Sequence, residues 1–325
     1  MKGAVAVLHF LIHASVRGER VAIVTLTDVI GRSSRAPGTQ MGVSETGSFC
    51  GSFSGGCVEA AVVAEAQRVI ATGHAETMRF GDGSPFIDIK LPCGGGIDLL
   101  ITPQPPLDEL KRALALLERR LPALLLFGQD GGLSVDEGAD TDRTCWLQND
   151  FQVRHNPDLR LVIIGHGEEP RALSVLASSY GAQVVALSPD RSLVDDLVQT
   201  GVDAHLLKTP ARSAWLTSDR YTAVVMLFHD HDWETELLAQ ALEQDGFFIG
   251  AMGSRATHAV RVDALLRHGV SAGAVARLVG PVGLIPATRD PETLALSALG
   301  QIAMRYEQVC EPLTVASNRD HALQN

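Results

Sequence analysis

Three stretches in the N-terminal third join small residues to side chains with chemistry. Gly31-Arg32-Ser33-Ser34-Arg35-Ala36-Pro37-Gly38 sets two guanidinium groups in a loop, where they can fork onto a phosphate. Ser54-Gly55-Gly56-Cys57-Val58-Glu59 places a thiol at the start of a predicted helix, where unpaired N–H groups and the helix dipole favour a thiolate. Pro92-Cys93-Gly94-Gly95-Gly96 holds a second thiol in a glycine turn, and glycine lets a ligand approach the backbone closely. Together these parts suit a phosphate-bearing, thiolate-responsive ligand. A plainer reading stays open: cysteine often packs as a small hydrophobe, glycine loops are often only tight turns, and loop arginines are often solvated. Cys50, Cys145 and Cys310 are read as packing residues.

A second glycine stretch, Gly165-His166-Gly167-Glu168-Glu169-Pro170, follows the apolar run Leu159–Ile164. Strand, glycine turn and helix in that order suit an anion at the helix start, so Gly165 and Gly167 are candidate ligand contacts. Pro170 holds the position of the third glycine, and two glutamates crowd the place of a diphosphate. The next strand ends in Ser188-Pro189-Asp190-Arg191. Asp190 is the candidate for ribose hydroxyls and Arg191 for a phosphate. Gly253-Ser254-Arg255 reads as an anion-binding turn or a plain helix cap. His229-Asp230-His231-Asp232 resembles a metal cluster, but a crevice loop with Asp232 capping the next helix fits better.

The elements that must position these residues follow from apolar pattern. Val5, Leu8, Ile12 and Val16 recur at helical spacing. Arg20–Asp28 is a β-branched strand. A hairpin around Thr46-Gly47, a helix over Cys57–Thr72, strands at Ala75–Phe80, Ile87–Leu91 and Ile97–Thr102, and a helix over Pro105–Arg120 complete the first domain, read as α+β over residues 1–127. Residues 128–157 are rich in Gly, Asp and Gln and read as a linker, with short strands expected around Leu133–Asp136 and Thr144–Leu147. Residues 158–310 alternate apolar strands with helices, which predicts a parallel sheet covered on both faces, a doubly wound Rossmann-type domain. Residues 311–325 read as a flexible tail.

The chain has 325 residues, 46% of them hydrophobic, and a formal net charge of −11. So acidic a body argues against nucleic acid and anionic membranes as partners. Five cysteines, an odd number without zinc spacing, point to a reducing, cytoplasmic setting rather than a disulfide framework.

Read together, the three N-terminal stretches resemble the signature of the XdhC/CoxI family, the xanthine dehydrogenase accessory proteins. The resemblance continues through the turn at Gly165, His229–Asp232, Phe248–Arg255 and Gly280-Pro281-Val282-Gly283-Leu284. It implies a chaperone that binds molybdenum cofactor, protects it, assists its sulfuration with a cysteine desulfurase and inserts it into a xanthine dehydrogenase-like molybdoenzyme. It implies no turnover chemistry beyond assisted sulfur transfer. Cys57 and Cys93 would be thiolate contacts to molybdenum or a sulfur relay. Arg32, Arg35, Ser54, Gly55, Gly56, Gly94, Gly165, Gly167, Gly253, Ser254 and Arg255 would be cofactor contacts. Three readings compete with it or extend it: an NAD(P)-dependent oxidoreductase working through the second domain, some other nucleotide bound there, and a pure interaction scaffold. A homodimer is an open possibility for its assembly.

Overall fold

A computed structural model describes residues 3–31, 35–56, 58–84, 95–128, 130–229 and 232–311. The first unit runs to Pro157 and the second covers Asp158–Glu311.

In the first unit, α1 (Gly3–Val16), β1 (Val21–Ile30), β2 (Gln40–Ser44), β3 (Phe49–Cys50), α2 (Glu59–Thr72), β4 (Glu76–Gly81), β5 (Gly96–Pro103), α3 (Leu107–Glu118) and strands β6 (Ala123–Phe127), β7 (Leu133–Glu137), β8 (Cys145–Leu147) and β9 (Asp150–His155) follow in order. A five-stranded antiparallel sheet has the order β3-β2-β1-β5-β4. β1 is buried on both faces because its alternate residues serve two cores. Val21 and Ile23 meet α1 and α3, while Ala22, Val24 and Leu26 meet α2. α2 presents Val62, Ala66, Val69 and Ile70 on one stripe, each large apolar side chain contributing roughly 1.5–3 kcal/mol by leaving water. Gly73, left-handed at φ +75°, stops it by returning its N–H to the Val69 carbonyl.

The segment expected as a linker over residues 128–157 carries the two short strands expected within it, as β7 and β8, and a further strand, β9. With β6 they form a four-stranded antiparallel sheet, β7-β6-β9-β8, that seals the α1–α3 core through Leu125, Phe127, Val135 and Val153. These strands are short and carry polar residues between the apolar ones, so the segment as a whole resembles a linker. The expected strand at Ile87–Leu91 and the expected tail 312–325 lie outside the described residues.

The second unit comprises β10 (Arg160–Gly165), α4 (Glu168–Tyr180), β11 (Gln183–Ser188), α5 (Arg191–Gln199), β12 (Asp203–Leu206), β13 (Thr222–Leu227), α6 (Glu234–Leu242), β14 (Phe248–Ala251), α7 (Arg255–Arg267), α8 (Ala272–Val275), β15 (Leu278–Val279) and α9 (Pro291–Cys310). Its sheet is parallel throughout, in the order β12-β11-β10-β13-β14-β15. Strand order reverses between β10 and β13, as in dinucleotide-binding folds. Leu161 and Ile163 share a core with α4, α5 and α9 residues. Val162 and Ile164 pack with α6 and α7 residues. This is the Rossmann-type domain that strand–helix alternation predicts. Among the described residues, no helix is long and apolar enough to cross a membrane.

Candidate functional site

Antiparallel pairing brings the described flanks of the three N-terminal stretches to one end of the five-stranded sheet. β1 ends at Ile30, which pairs with Gly96 at the start of β5. β4 ends at Gly81, which also pairs with Gly96. β2 begins at Gln40 beside Thr25, and β3 ends at Cys50 beside Gly42. Every connection that carries a candidate residue therefore leaves or enters the sheet at this end. A Cβ on Gly31 would lie 3.5 Å from Gly95 Cα, so the arginine loop and the second glycine turn adjoin. Arg35 is exposed. Arg32, Cys57, Cys93 and Gly94 lie outside the described residues.

The Ser52–Val58 stretch folds around a residue that sequence reading gave no role. Glu59 is 5% exposed. Its Oε1 accepts from Ser52 Oγ at 2.7 Å, Phe53 N–H at 3.0 Å and Ser54 N–H at 2.8 Å. Its Oε2 accepts from Ser54 Oγ at 2.8 Å, Gly56 N–H at 2.8 Å and Val58 N–H at 3.2 Å. Burial would raise the pKa of this carboxyl. The bonds from the Ser54 backbone and the Ser52 and Ser54 hydroxyls outweigh that and hold it well below the usual carboxylate range. α2 starts at Glu59, two residues later than the sequence suggests, and the carboxylate reaches back to gather N–H groups of the loop that leads into the helix. Ser54 and Gly56 thus spend their N–H groups on Glu59, and Gly55 spends its own on Ser52 Oγ at 3.0 Å. Gly55 (φ +75°) and Gly56 (φ +120°) have open space where a Cβ would stand, so their outer side admits a ligand. The sequence did hint at Glu59: an acidic residue in the first turn after a glycine pair.

Across this sheet end, Asp28 and Asp98 face each other on β1 and β5. Arg79 clamps Asp98 with two bonds of 2.7 Å, and Trp146 Nε1 donates to Asp28 at 2.9 Å. Two like charges side by side are thus each given a donor.

In the second unit the glycine turn serves the fold. A Cβ on Gly165 would stand 2.3 Å from the Leu227 carbonyl oxygen, so glycine is required by the approach of β13. Gly167 precedes α4 at φ +90°. The helix start behind it carries its own carboxylates, Glu168 and Glu169, and Glu169 Oε1 meets His229 Nε2 at 3.2 Å. Asp190, expected at a ribose, accepts from Ser192 N–H at 2.9 Å and Leu193 N–H at 3.4 Å as the cap of α5. Ser188 Oγ holds it in place by accepting the Asp190 N–H at 3.0 Å. Asp232 does not cap α6; Trp233 precedes that helix, without a side-chain cap bond. Asp230 and His231 lie outside the described residues. Among the described residues no group of three acidic, histidine or cysteine side chains is placed to hold a metal.

A cleft of about 1030 Å³ opens beyond the C-terminal ends of β13 and β14 and the turn after β15. Gly253, Ser254 and Arg255 line it together with Thr257, Thr288 and Arg289. Ser254 caps α7 by accepting the Thr257 N–H at 3.0 Å. Beneath it, buried Arg261 pairs with buried Glu234 at 2.8 and 2.9 Å and donates to the Met252 carbonyl at 3.0 Å. Sequence reading assigned no role to Arg289 or to this pair. Both arginines sit in ordinary helical or pre-helical contexts, and only the fold reveals their neighbours.

Known proteins resemble this chain in sequence and in fold. Residues 14–81 match the XdhC and CoxI family, and residues 161–302 match the XdhC Rossmann domain. The molybdenum cofactor insertion chaperone PaoD of Escherichia coli (strain K12) is 36% identical over 297 residues, which span 91% of this chain and 87% of that protein. A crystal structure of a xanthine dehydrogenase from Bacillus halodurans is similar in fold. It has a TM-score of 0.76 at 21% identity, with 98% of each chain covered.

Proposed function

The chain belongs to the XdhC and CoxI family, and from that premise we propose that it is a molybdenum cofactor insertion chaperone. The observation that carries this reading is the extended similarity to a chaperone of that activity. The geometry adds physical support, since the strands that flank the arginine loop and the two glycine–cysteine stretches end or begin at one end of the sheet.

In this reading the cargo's molybdenum, a thiophilic metal, meets Cys57 and Cys93 as thiolate contacts or as a sulfur relay. Arg32 and Arg35 take the cargo's phosphate as a fork. Ser54, Gly55, Gly56 and Gly94 let the cargo approach the backbone, with the Ser54–Gly56 loop held ready by Glu59. Gly253, Ser254 and Arg255 are cofactor contacts on the second unit, whereas Gly165 and Gly167 shape the fold. The cargo is protected in the cytoplasm, sulfurated with a cysteine desulfurase and delivered to a xanthine dehydrogenase-like molybdoenzyme. A nicotinamide oxidoreductase has weaker support: Asp190 is committed to a helix cap and Glu169 to His229.

Reconstitution tests the proposal. An apo-molybdoenzyme given released cofactor gains more activity with this protein than without it, and Cys57→Ala with Cys93→Ala abolishes the gain. Equal activity with and without the protein would refute the chaperone role. A gain unaffected by the double substitution would refute the thiolate contacts.

A further inference from the structure

The cleft of the second unit has features beyond the Gly253–Arg255 turn that the proposed function does not use. The polar residues that line it differ sharply in how committed they are. Glu169 is paired with His229, and Asp290 accepts the Thr293 N–H at 2.7 Å as the cap of α9. Arg255 and Arg289, by contrast, have no hydrogen bond or ion pair among the described residues. Two uncommitted guanidinium groups in one concave site have a strong demand for an anion. The helices starting at Arg255 and Pro291 add their N-terminal ends to the same rim. Polar atoms behind the wall are also unsatisfied. Arg261 Nη1 and His258 Nδ1 are buried without partners, beside Met252 and Gly280 respectively.

Part of the lining is apolar and preformed. Val282, Leu284, Ile285 and Leu294 form it. α9 pins its backbone, with Gln301 Oε1 accepting the Gly283 N–H and Ser297 Oγ the Ile285 N–H, each at 2.7 Å. Leu284 and Ile285 stay 54% and 45% exposed, which is unfavourable unless something covers them.

We infer that this cleft binds an organic phosphate, its phosphoryl group held between Arg255 and Arg289 with Ser254, Thr257 and Thr288 nearby, and its body laid against the Val282–Ile285 wall. The anion site of this Rossmann-type domain has thus moved. Within the same crevice it lies away from the β10–α4 turn, where Glu168 and Glu169 repel a phosphate, and toward the turns that follow β14 and β15. The inference rests on the cleft's own geometry, so it stands even if the cargo binds only the first unit.

Phenyl phosphate, inorganic phosphate and phenol are suitable probes, titrated against the full-length protein at low salt by ligand-observed NMR. Phenyl phosphate binds more tightly than either fragment. Arg255→Ala and Arg289→Ala each weaken it roughly tenfold, with unchanged circular dichroism since both side chains are exposed and unpaired. Glu169→Gln leaves binding intact or strengthens it. Released molybdenum cofactor that displaces phenyl phosphate identifies the cargo as the source of the phosphate. Failure to displace it identifies a separate organic phosphate; the site stands in both cases. Phenyl phosphate that does not bind the native protein, or that binds the double arginine variant equally well, would overturn the inference.

Discussion

Ser54 gives Glu59 both its backbone N–H and its hydroxyl, one to each carboxylate oxygen and each at 2.8 Å. A side chain from the helix thereby occupies the nest of donors that a bound anion would otherwise fill. The loop carrying the candidate cysteine is shaped before any ligand arrives, which lowers the entropy cost of binding.

Glu59→Gln puts an amide NH2 where N–H and O–H donors converge. The expected cost is about 2–4 kcal/mol at neutral pH, read from urea unfolding. The folded pKa of Glu59 lies below its ordinary value of about 4.5. Its contribution is therefore complete above that pH and is lost as the pH falls through the depressed folded value. The gap between native protein and variant narrows between pH 7 and pH 3; a constant gap would mean the charge is not what the loop uses.

His155 titrates in the same sense at higher pH. Burial pushes its pKa down to about 4, and its Nε2 lies 2.8 Å from Gln40 Oε1, tying β9 to β2. As the pH drops from about 6.5 toward about 4, the unfolded chain takes up a proton that the folded form refuses. Stability falls by up to roughly 1.4 kcal/mol per pH unit in that window and is undiminished above it. His155→Gln flattens this part of the stability–pH curve, apart from the smaller slopes of other groups.

Removing one member of the buried Glu234–Arg261 pair strands a charge. Glu234→Gln or Arg261→Met alone costs about 3–5 kcal/mol in thermal or urea unfolding, and the joint substitution Glu234→Leu with Arg261→Met recovers most of it. Equal losses in single and double variants would contradict the assignment.

Two glycines that look alike in sequence separate in the same assay. Gly165→Ala drives a methyl group into the Leu227 carbonyl, 2.3 Å away, and costs about 1–3 kcal/mol or more. Gly55→Ala meets open space and carries only the left-handed backbone penalty of roughly 1–2 kcal/mol. The first lowers the stability of the second unit, and the second leaves that unit untouched.

Much of the fold was legible where period and composition agree. Leu159–Ile164, flanked by a glycine turn and a helical pattern, could only be a buried strand entering a parallel sheet. The Asp150–His155 strand was not legible. Its buried Gln152 and Arg154 break the apolar alternation, and its pairing with β6 depends on contacts distant in sequence. The glycine–cysteine motifs identified the candidate loops, but not their convergence, which antiparallel register decides. Glu59 was hidden because its donors among the described residues come from backbone and serine groups that every loop possesses. Arg255 and Arg289 stand 34 positions apart in sequence, so only the sheet order brings them to one cleft.

Cofactor retention tests the central claim most directly. The full-length protein is incubated with isolated molybdenum cofactor, free ligand is removed by gel filtration, and molybdenum and pterin are measured in the protein fraction. A cofactor insertion chaperone retains both together, and Cys57→Ala with Cys93→Ala lowers that retention. Native protein that elutes free of both molybdenum and pterin would contradict the account.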